Sequence, residues 1–416
     1  MSASNQEQFF NDEETTALRN FWKQLFSLLG LNPASEKSLP TSNDGAQSII
    51  SLHGREKFAE ALWNFTTVDD PDYTCIKFVR ARKLNIDEAI TMLIECLKWR
   101  IEFNVESVIF KGDIGFMSEK GEDGDAFTKQ ISCGKTFVQG FSKMGGPVAY
   151  VFAKHYKAGE QSPKAMEDFV VYAMESIRMF TINPKSKITV VIDLAGFGLV
   201  NMDWKATMFL NKCLEAYYPE SLQTLIIFNA PWVFHGIWKV ISSTLDPVVR
   251  SKITMTKSVE DIRTHIDKSY LLEDLGGDST WKWCYKVPTA RPELEDSRKQ
   301  ELLSQKKNLI DHYVKVTNSW IDDDSVTNTQ LRDFVASMLR VNHLSLDPFM
   351  RGKTAYHQEG NIRENGQMGF RTSHTSSQWE FSKYYTSRDE LLDKIKRSQD
   401  NFKIQKVDYP IVEFEL

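Results

Sequence analysis

The stretch "LEAYYPESLQTLIIFNAPWVFHGIWKVISSTLDPVVRSKI" runs from Leu214 to Ile253. Inside it, "LQTLIIFN" is a short continuous apolar run that reads as a strand ending near Asn229. Pro231 has no amide proton to give to a sheet, so it stops that strand. Beyond it the spacing predicts a helix from about Trp232 to Leu245. Phe234, Ile237, Trp238, Ile241 and Leu245 recur at i, i+3, i+4, i+7 and i+11, one apolar stripe that Val233 and Val240 widen. Only His235 and Lys239 are clearly polar. Gly236 near the start offers a flexible point, and "LDP" (245–247) a rigid one at the end. Two readings fit. The helix is a crossover buried in a core, or it roofs an apolar cavity, with a ligand on one side and a membrane surface on the other. Periodicity does not choose between them.

Working outward, strands alternate with helices. "KTFVQGFS", a "KMGG" turn and "PVAYVFAK" read as two strands joined by a tight connection, with Pro147 at a strand start. A helix follows from about Pro163 to Phe180, then the β-branched run "KITVVIDL", then a helix from Asp203 to Tyr217. This alternation predicts an α/β fold with a mostly parallel sheet, and continuous apolar strands predict a sheet covered on both faces. Before it, residues 55–105 are helical, with Asn85 and Glu88 at capping-box spacing. "DEETTALRNFWKQLFSLLG" (Asp12 to Gly30) puts Leu18, Phe21, Trp22, Leu25, Leu28 and Leu29 on one helical face, and Asn32 to Ala46 reads as a linker. After Pro292 the chain is helical and charged to about Leu344. Residues 345–378, rich in Ser, Gly, Asn, His and Gln, read as a long loop or disordered insert. "DELLDKIKRSQDNF" is a last helix before the tail "KVDYPIVEFEL".

Composition bounds the function. The net charge is -5, with 41% hydrophobic and 26% charged residues, which gives no argument for a nucleic-acid partner. No run reaches the roughly 18 apolar residues of a membrane span. The polar, acidic start "MSASNQEQFFNDEE" does not read as a signal peptide. Five scattered cysteines without a CxxC pair read as reduced intracellular thiols. The motifs of catalysis are missing: "GFGLVN" lacks the third glycine of a dinucleotide loop, and there is no GxSxG. "GKT" (134–136) has Lys129 where a phosphate loop needs glycine, and the eight histidines show no HExxH. The chain is read as a non-enzyme without metal or cofactor.

The ordered set "YYPE" (217–220), "NAP" (229–231), "LDP" (245–247) and "SKI" (251–253) resembles the lipid-binding core of CRAL-TRIO proteins, specifically the fungal phosphatidylinositol transfer branch. "CIKFVRARKLNIDEAI" with "KWR" resembles that family's N-terminal helical lobe, "VVIDLAGFGLVNMDW" its central strand and turn, and "LLEDLGGD" (271–278) its closing element. The resemblance covers about residues 55–290. It implies an N-terminal helix and linker over 1–54, a helical lobe over 55–111, a lipid-binding domain over 112–290 and a C-terminal extension over 291–416. It also implies that the helix after "NAP" (about 232–250) gates a pocket holding one lipid, with Trp232, Phe234, Gly236, Ile237, Trp238, Ile241 and Leu245 as gate or pocket residues. The physical need is plain. At ~0.8 kcal/mol per methylene, exposing about 30 chain methylenes to water would cost on the order of 25 kcal/mol.

The resemblance further implies a phosphoinositol site made of Arg82, Lys83, Glu220 and Lys252: cations for the phosphate, a carboxylate for the ring hydroxyls. Taken one at a time, these residues read equally as helix-end cations, a solvated loop acid and a surface lysine. The sequence departs from the family at a threonine shortly before the "SK" lysine, which is Val249 here. Positions that read choline in the family fall near Ala149, with Tyr150 adjacent, and at Gly198. The expectation is a carrier of phosphatidylinositol, with another hydrophobic lipid as second ligand and little or no phosphatidylcholine transfer. It would be cytoplasmic and touch endosomal, microsomal or lipid-droplet membranes transiently. Its C-terminal extension would be free for a lipid kinase or other protein partner. A carrier or sensor of an uncharged sterol- or squalene-like lipid, and a non-transferring adaptor, are the competing readings.

Overall fold

The computed structural model describes residues 9–31, 44–119, 121–183, 185–289, 295–373 and 376–407. The chain builds two units, one from Met1–Asn104, Glu293–Phe349 and Thr386–Leu416, the other from Val105–Pro292 and Met350–Tyr385. The first opens with α1 (Asp12–Leu29), α2 (Asp44–His53), α3 (Arg55–Thr66), α4 (Pro71–Ala81) and α5 (Ile86–Phe103). Asn11 and Glu14 cap α1 reciprocally, and Gly30 ends it at φ 70°, the left-handed region open to glycine. The predicted α1 face is buried throughout. The Asn85 side chain accepts from the Glu88 N–H at 3.3 Å, as the spacing predicts. Of the expected linker, Asp44 to Ala46 belong to α2 and residues 32–43 lie outside the described residues.

The second unit runs through α6 (Val105–Met117), α7 (Glu122–Ser132), β1 (Thr136–Phe141), β2 (Pro147–Phe152), α8 (Pro163–Met179), β3 (Ile188–Asp193), α9 (Trp204–Lys212), β4 (Leu222–Phe228), α10 (Phe234–Thr244), α11 (Pro247–Ser251), β5 (Ile253–Thr256) and α12 (Val259–His265). Its sheet has the order β1-β2-β3-β4-β5. β1 and β2 are an antiparallel hairpin, and every later pairing is parallel. The register aligns Tyr150, Val191 and Ile226 in one row, flanked by the rows Ala149-Val190-Leu225-Ile253 and Val151-Ile192-Ile227-Met255. Alternation sends these rows to opposite faces. On one face Val148, Tyr150, Val191, Ile226 and Phe228 pack solidly against Ile262, Ile266 and Leu271–Leu275. The other face is covered as well, by the segment around Phe234 and Ile237, but is filled less completely.

The chain returns to the first unit with α13 (Asp296–Asp322) and α14 (Val326–Met350). There the buried Arg332 pairs with Asp72, and Asp72 also accepts from the Trp22 indole N–H at 2.7 Å. Of the two readings of residues 345–378, a long loop or a disordered insert, the structure has a largely irregular segment with short elements. α14 continues to Met350, and α15 (Ala355–Gln358), β6 (Gly369–Phe370) and β7 (Glu380–Phe381) follow. This strap is part of the second unit. Val138 N–H donates to the Tyr356 oxygen at 3.0 Å, Ser279 Oγ donates to Thr372 O at 2.8 Å, and the Phe370 ring lies on Phe141 and Phe180. The expected C-terminal block of residues 291–416 is thus shared between units. α16 (Arg388–Gln405) closes the first, with Phe402 against Phe334; the tail from 408 onward lies outside the described residues.

Candidate functional site

The less filled sheet face is apolar. Val151, Val190, Ile192, Leu225, Ile253 and Met255 are only half-buried there. α10 lies over this face, with Phe234 and Ile237 buried against Leu194, Phe197, Ile227 and Ala230, and with Trp238 and Ile241 at the margin. The amphipathic stripe read from the sequence is therefore the inner side of α10. Two residues of the expected gate or pocket set sit differently. Trp232 precedes the helix and is 85% exposed, while Leu245 follows it at a half-buried position. The expected single helix to about residue 250 is two, because Leu245 leaves the helix with extended backbone and Asp246 caps α11 by accepting from the Val248 N–H. A Cβ on Gly236 would meet nothing within 4 Å, so this glycine is not there for close packing.

Both ends of α10 are tied. Asn229 has φ 54°, a conformation asparagine tolerates, and donates from Nδ2 to Asp193 at 3.0 Å and from its N–H to Thr256 O at 3.2 Å. It thereby joins the ends of β3, β4 and β5 where the α10 segment begins. At the far end, the Asp246 N–H donates to Glu215 Oε1 at 2.6 Å. Glu215 lies in the π-helical turn Cys213–Tyr217 that follows α9. α9 itself has no fully buried residue. Around α9 and α10 stand Leu199, Val200, Trp204, Leu210, Trp232 and Val240, all exposed.

At the N-terminal ends of β3, β4 and β5 is a charged cluster. Glu220 follows the buried Tyr217, Tyr218 and Pro219. The Tyr218 hydroxyl donates to buried Glu175 at 2.8 Å, which anchors the turn. Glu220 has φ 54°, a strained value for a glutamate, held by the flanking packing. Its Oε1 lies 3.7 Å from Lys252 Nζ, and its Oε2 accepts from Lys187 Nζ. Burial pulls the Lys252 pKa below the ordinary lysine value, Glu220 opposes this, and Lys187 adds to it. Lys187 was not among the residues read from the sequence. Its signal was positional: it stands directly before β3, as Lys252 stands directly before β5.

The other expected headgroup residues, Arg82 and Lys83, belong to the helical unit. The Arg82 N–H closes α4 by donating to Phe78 O at 3.2 Å, and Lys83 and Leu84 follow at φ 50° and 66°. Among the described residues, neither of these two cationic side chains makes an ion pair or hydrogen bond. Of the choline-reading positions, Ala149 lies in the row of Val190 and Leu225, on the α10 face. Tyr150 is turned to the opposite, solid face, where its hydroxyl meets Tyr270 O at 3.4 Å. Gly198 donates its N–H to Asn201 Oδ1 and brings no side chain. Val249 likewise brings no polar side chain beside Lys252.

Comparison with known proteins fits this architecture. The CRAL/TRIO domain model matches residues 131–277, and the CRAL/TRIO N-terminal domain model matches residues 17–95. A CRAL-TRIO domain-containing protein of Schizosaccharomyces pombe is 33% identical over 347 residues, covering 82% of this chain and 76% of the relative. The chain belongs to the CRAL/TRIO family. Phosphatidylinositol transfer protein CSR1 of Eremothecium gossypii is 32% identical over 340 residues, covering 79% of this chain and 77% of that one. Phosphatidylinositol transfer protein PDR17 of Saccharomyces cerevisiae is 26% identical over 236 residues, covering 54% and 63%. The CRAL/TRIO domain match holds β1 through α12, and so contains the half-filled face, α10 and the Glu220 cluster; the strap from Met350 to Tyr385 lies outside both matches. Among the described residues, no helix of this CRAL/TRIO protein is long and apolar enough to cross a membrane, and no group of His, Cys, Asp and Glu could hold a metal.

Proposed function

We propose that this CRAL/TRIO protein encloses one phosphatidylinositol molecule and carries it between membranes, with little or no phosphatidylcholine transfer. The observation that carries the reading is a continuity. The strands that carry the half-buried apolar rows, β3, β4 and β5, each begin one or two residues after Lys187, Glu220 and Lys252. Acyl chains complete the apolar face, and a phosphorylated, hydroxyl-bearing headgroup meets cations and a carboxylate. α10 is the gate. Its inner stripe covers the chains, and exposed Trp232 with Val240 meets the membrane interface when it opens. Names of relatives such as the phosphatidylinositol transfer proteins CSR1 and PDR17 support the ligand class. Arg82 and Lys83 are retained as further phosphate cations on the family resemblance alone. Protein purified natively should release about one lipid per chain into organic solvent and should move phosphatidylinositol between vesicles. Absence of both stoichiometric lipid and transfer would shift the reading to a non-transferring adaptor.

A further inference from the structure

The cluster around Glu220 contains a cation that the family reading does not use. Lys187 and Lys252 flank the two carboxylate oxygens, and the three side chains are comparably sheltered, with 22%, 22% and 18% of the lysine and glutamate side chains exposed. Two lysines and one glutamate give the cluster a formal charge of +1. Every glycerophospholipid brings a phosphate, so the phosphate cannot discriminate among headgroups. Discrimination falls on what lies beyond it. A bare Glu220 would be a natural counter-ion for an ammonium or trimethylammonium group. With Lys187 on one oxygen and Lys252 beside the other, that counter-ion is already matched, and an incoming cation meets like charge. A ring hydroxyl behaves differently. It donates to the carboxylate and accepts from an ammonium at once, so it inserts into the cluster without leaving either group unpaired.

We propose that Lys187 is a specificity-determining residue of the headgroup site, holding Glu220 so that cationic headgroups are refused and polyhydroxyl headgroups admitted. This rests on the phosphatidylinositol reading above. The aromatic alternative for a choline site is not at hand, since Tyr150 is committed to the opposite sheet face.

The test offers delipidated protein mixed vesicles of phosphatidylinositol and phosphatidylcholine, then measures extracted lipid by mass spectrometry. Lys187→Gln should raise the phosphatidylcholine-to-phosphatidylinositol ratio by roughly fivefold or more, because like-charge exclusion is lost. Lys187→Arg, which keeps the charge, should stay at the wild-type ratio. The double variant Lys187→Gln with Glu220→Gln should show no gain in the amount of phosphatidylcholine taken up, because no carboxylate is left to recruit the cation, while its phosphatidylinositol uptake falls. An unchanged ratio in Lys187→Gln, with wild type still loading phosphatidylinositol, overturns this proposal alone. So does an equal gain in the amount of phosphatidylcholine taken up by the Arg or double variant, which would make the effect one of shape. Wild type that takes up no phosphatidylinositol overturns the functional reading, and this inference with it.

Discussion

Glu220 is the pivot of the proposed headgroup site at the scale of single residues. Its backbone is strained at φ 54°, its carboxylate faces two ammonium groups, and the Tyr218–Glu175 hydrogen bond holds the turn that presents it. A hydrogen bond to a charged group is worth roughly 1.5–3 kcal/mol, so Glu220→Ala or Lys252→Ala should lower phosphatidylinositol affinity about 10- to 100-fold. Vesicle transfer assays on folded variants measure this, and normal transfer by both at unchanged melting temperature would sink the headgroup assignment. The sequence could single out Glu220 and Lys252 because each sits in a recognisable tetrapeptide or tripeptide, and the structure brings the two side chains together. Lys187 was not singled out. A lysine before a strand is ordinarily a solvated cation, and only the tertiary pairing with a residue 33 positions away gives it meaning. Trp232 is the converse case. It was expected at the start of the gate helix, but it precedes α10 and stands in solvent.

At the scale of elements, α10 and the strap do different work. α10 is held by contacts at its two ends and by one apolar side, which suits the proposed gate, an element that would lift as a unit. Gly236 is exposed near its first turn and leaves room for a Cβ. Gly236→Ala should stiffen the helix by about 0.5–1 kcal/mol and slow transfer while lipid stays bound. Faster or unchanged transfer in a stopped-flow vesicle assay would remove Gly236 from the gating account. The strap is fastened at buried Asp113 of α6, which accepts from the Tyr285 hydroxyl at 3.1 Å, the Ala355 N–H at 2.9 Å and the Tyr172 hydroxyl. Burial pushes the Asp113 pKa up from 3.8 to about 6, against these hydrogen bonds. The folded state therefore binds the proton more tightly than the unfolded chain. The stabilisation is full below pH 3.8 and is lost as pH rises through about 6. The unfolding free energy of wild type relative to Asp113→Asn should fall by on the order of 3 kcal/mol between pH 4 and pH 7. A pH-independent difference in denaturant titrations would show that Asp113 is not the proton site. The strap escaped the sequence reading because its polar, glycine-rich composition has no period. Its order comes from partners far away in the chain, such as Val138 and Phe141 for Tyr356 and Phe370.

At the scale of the whole molecule, strand–helix alternation announced the parallel sheet. What alternation could not announce is that the two faces of that sheet differ. Both are apolar, and the packing of Ile262, Ile266 and Leu271 fills one side more fully than Phe234 and Ile237 fill the other. If a lipid completes that other side, as proposed, it binds the folded chain and not the unfolded one, and stability must follow its concentration. At a hundredfold excess over Kd the linkage is worth about 2.7 kcal/mol. Delipidated protein should therefore melt below the purified form, and phosphatidylinositol vesicles should restore the difference. Lys252→Ala separates the two parts of the ligand. Its delipidated melting temperature should match that of delipidated wild type, since a half-buried lysine contributes little, whereas restoration should need 10- to 100-fold more phosphatidylinositol, following the roughly 1.5–3 kcal/mol lost at the headgroup. Calorimetry that finds one melting temperature with and without lipid would mean the half-filled face is closed by protein alone, and the carrier reading would fail at its physical root.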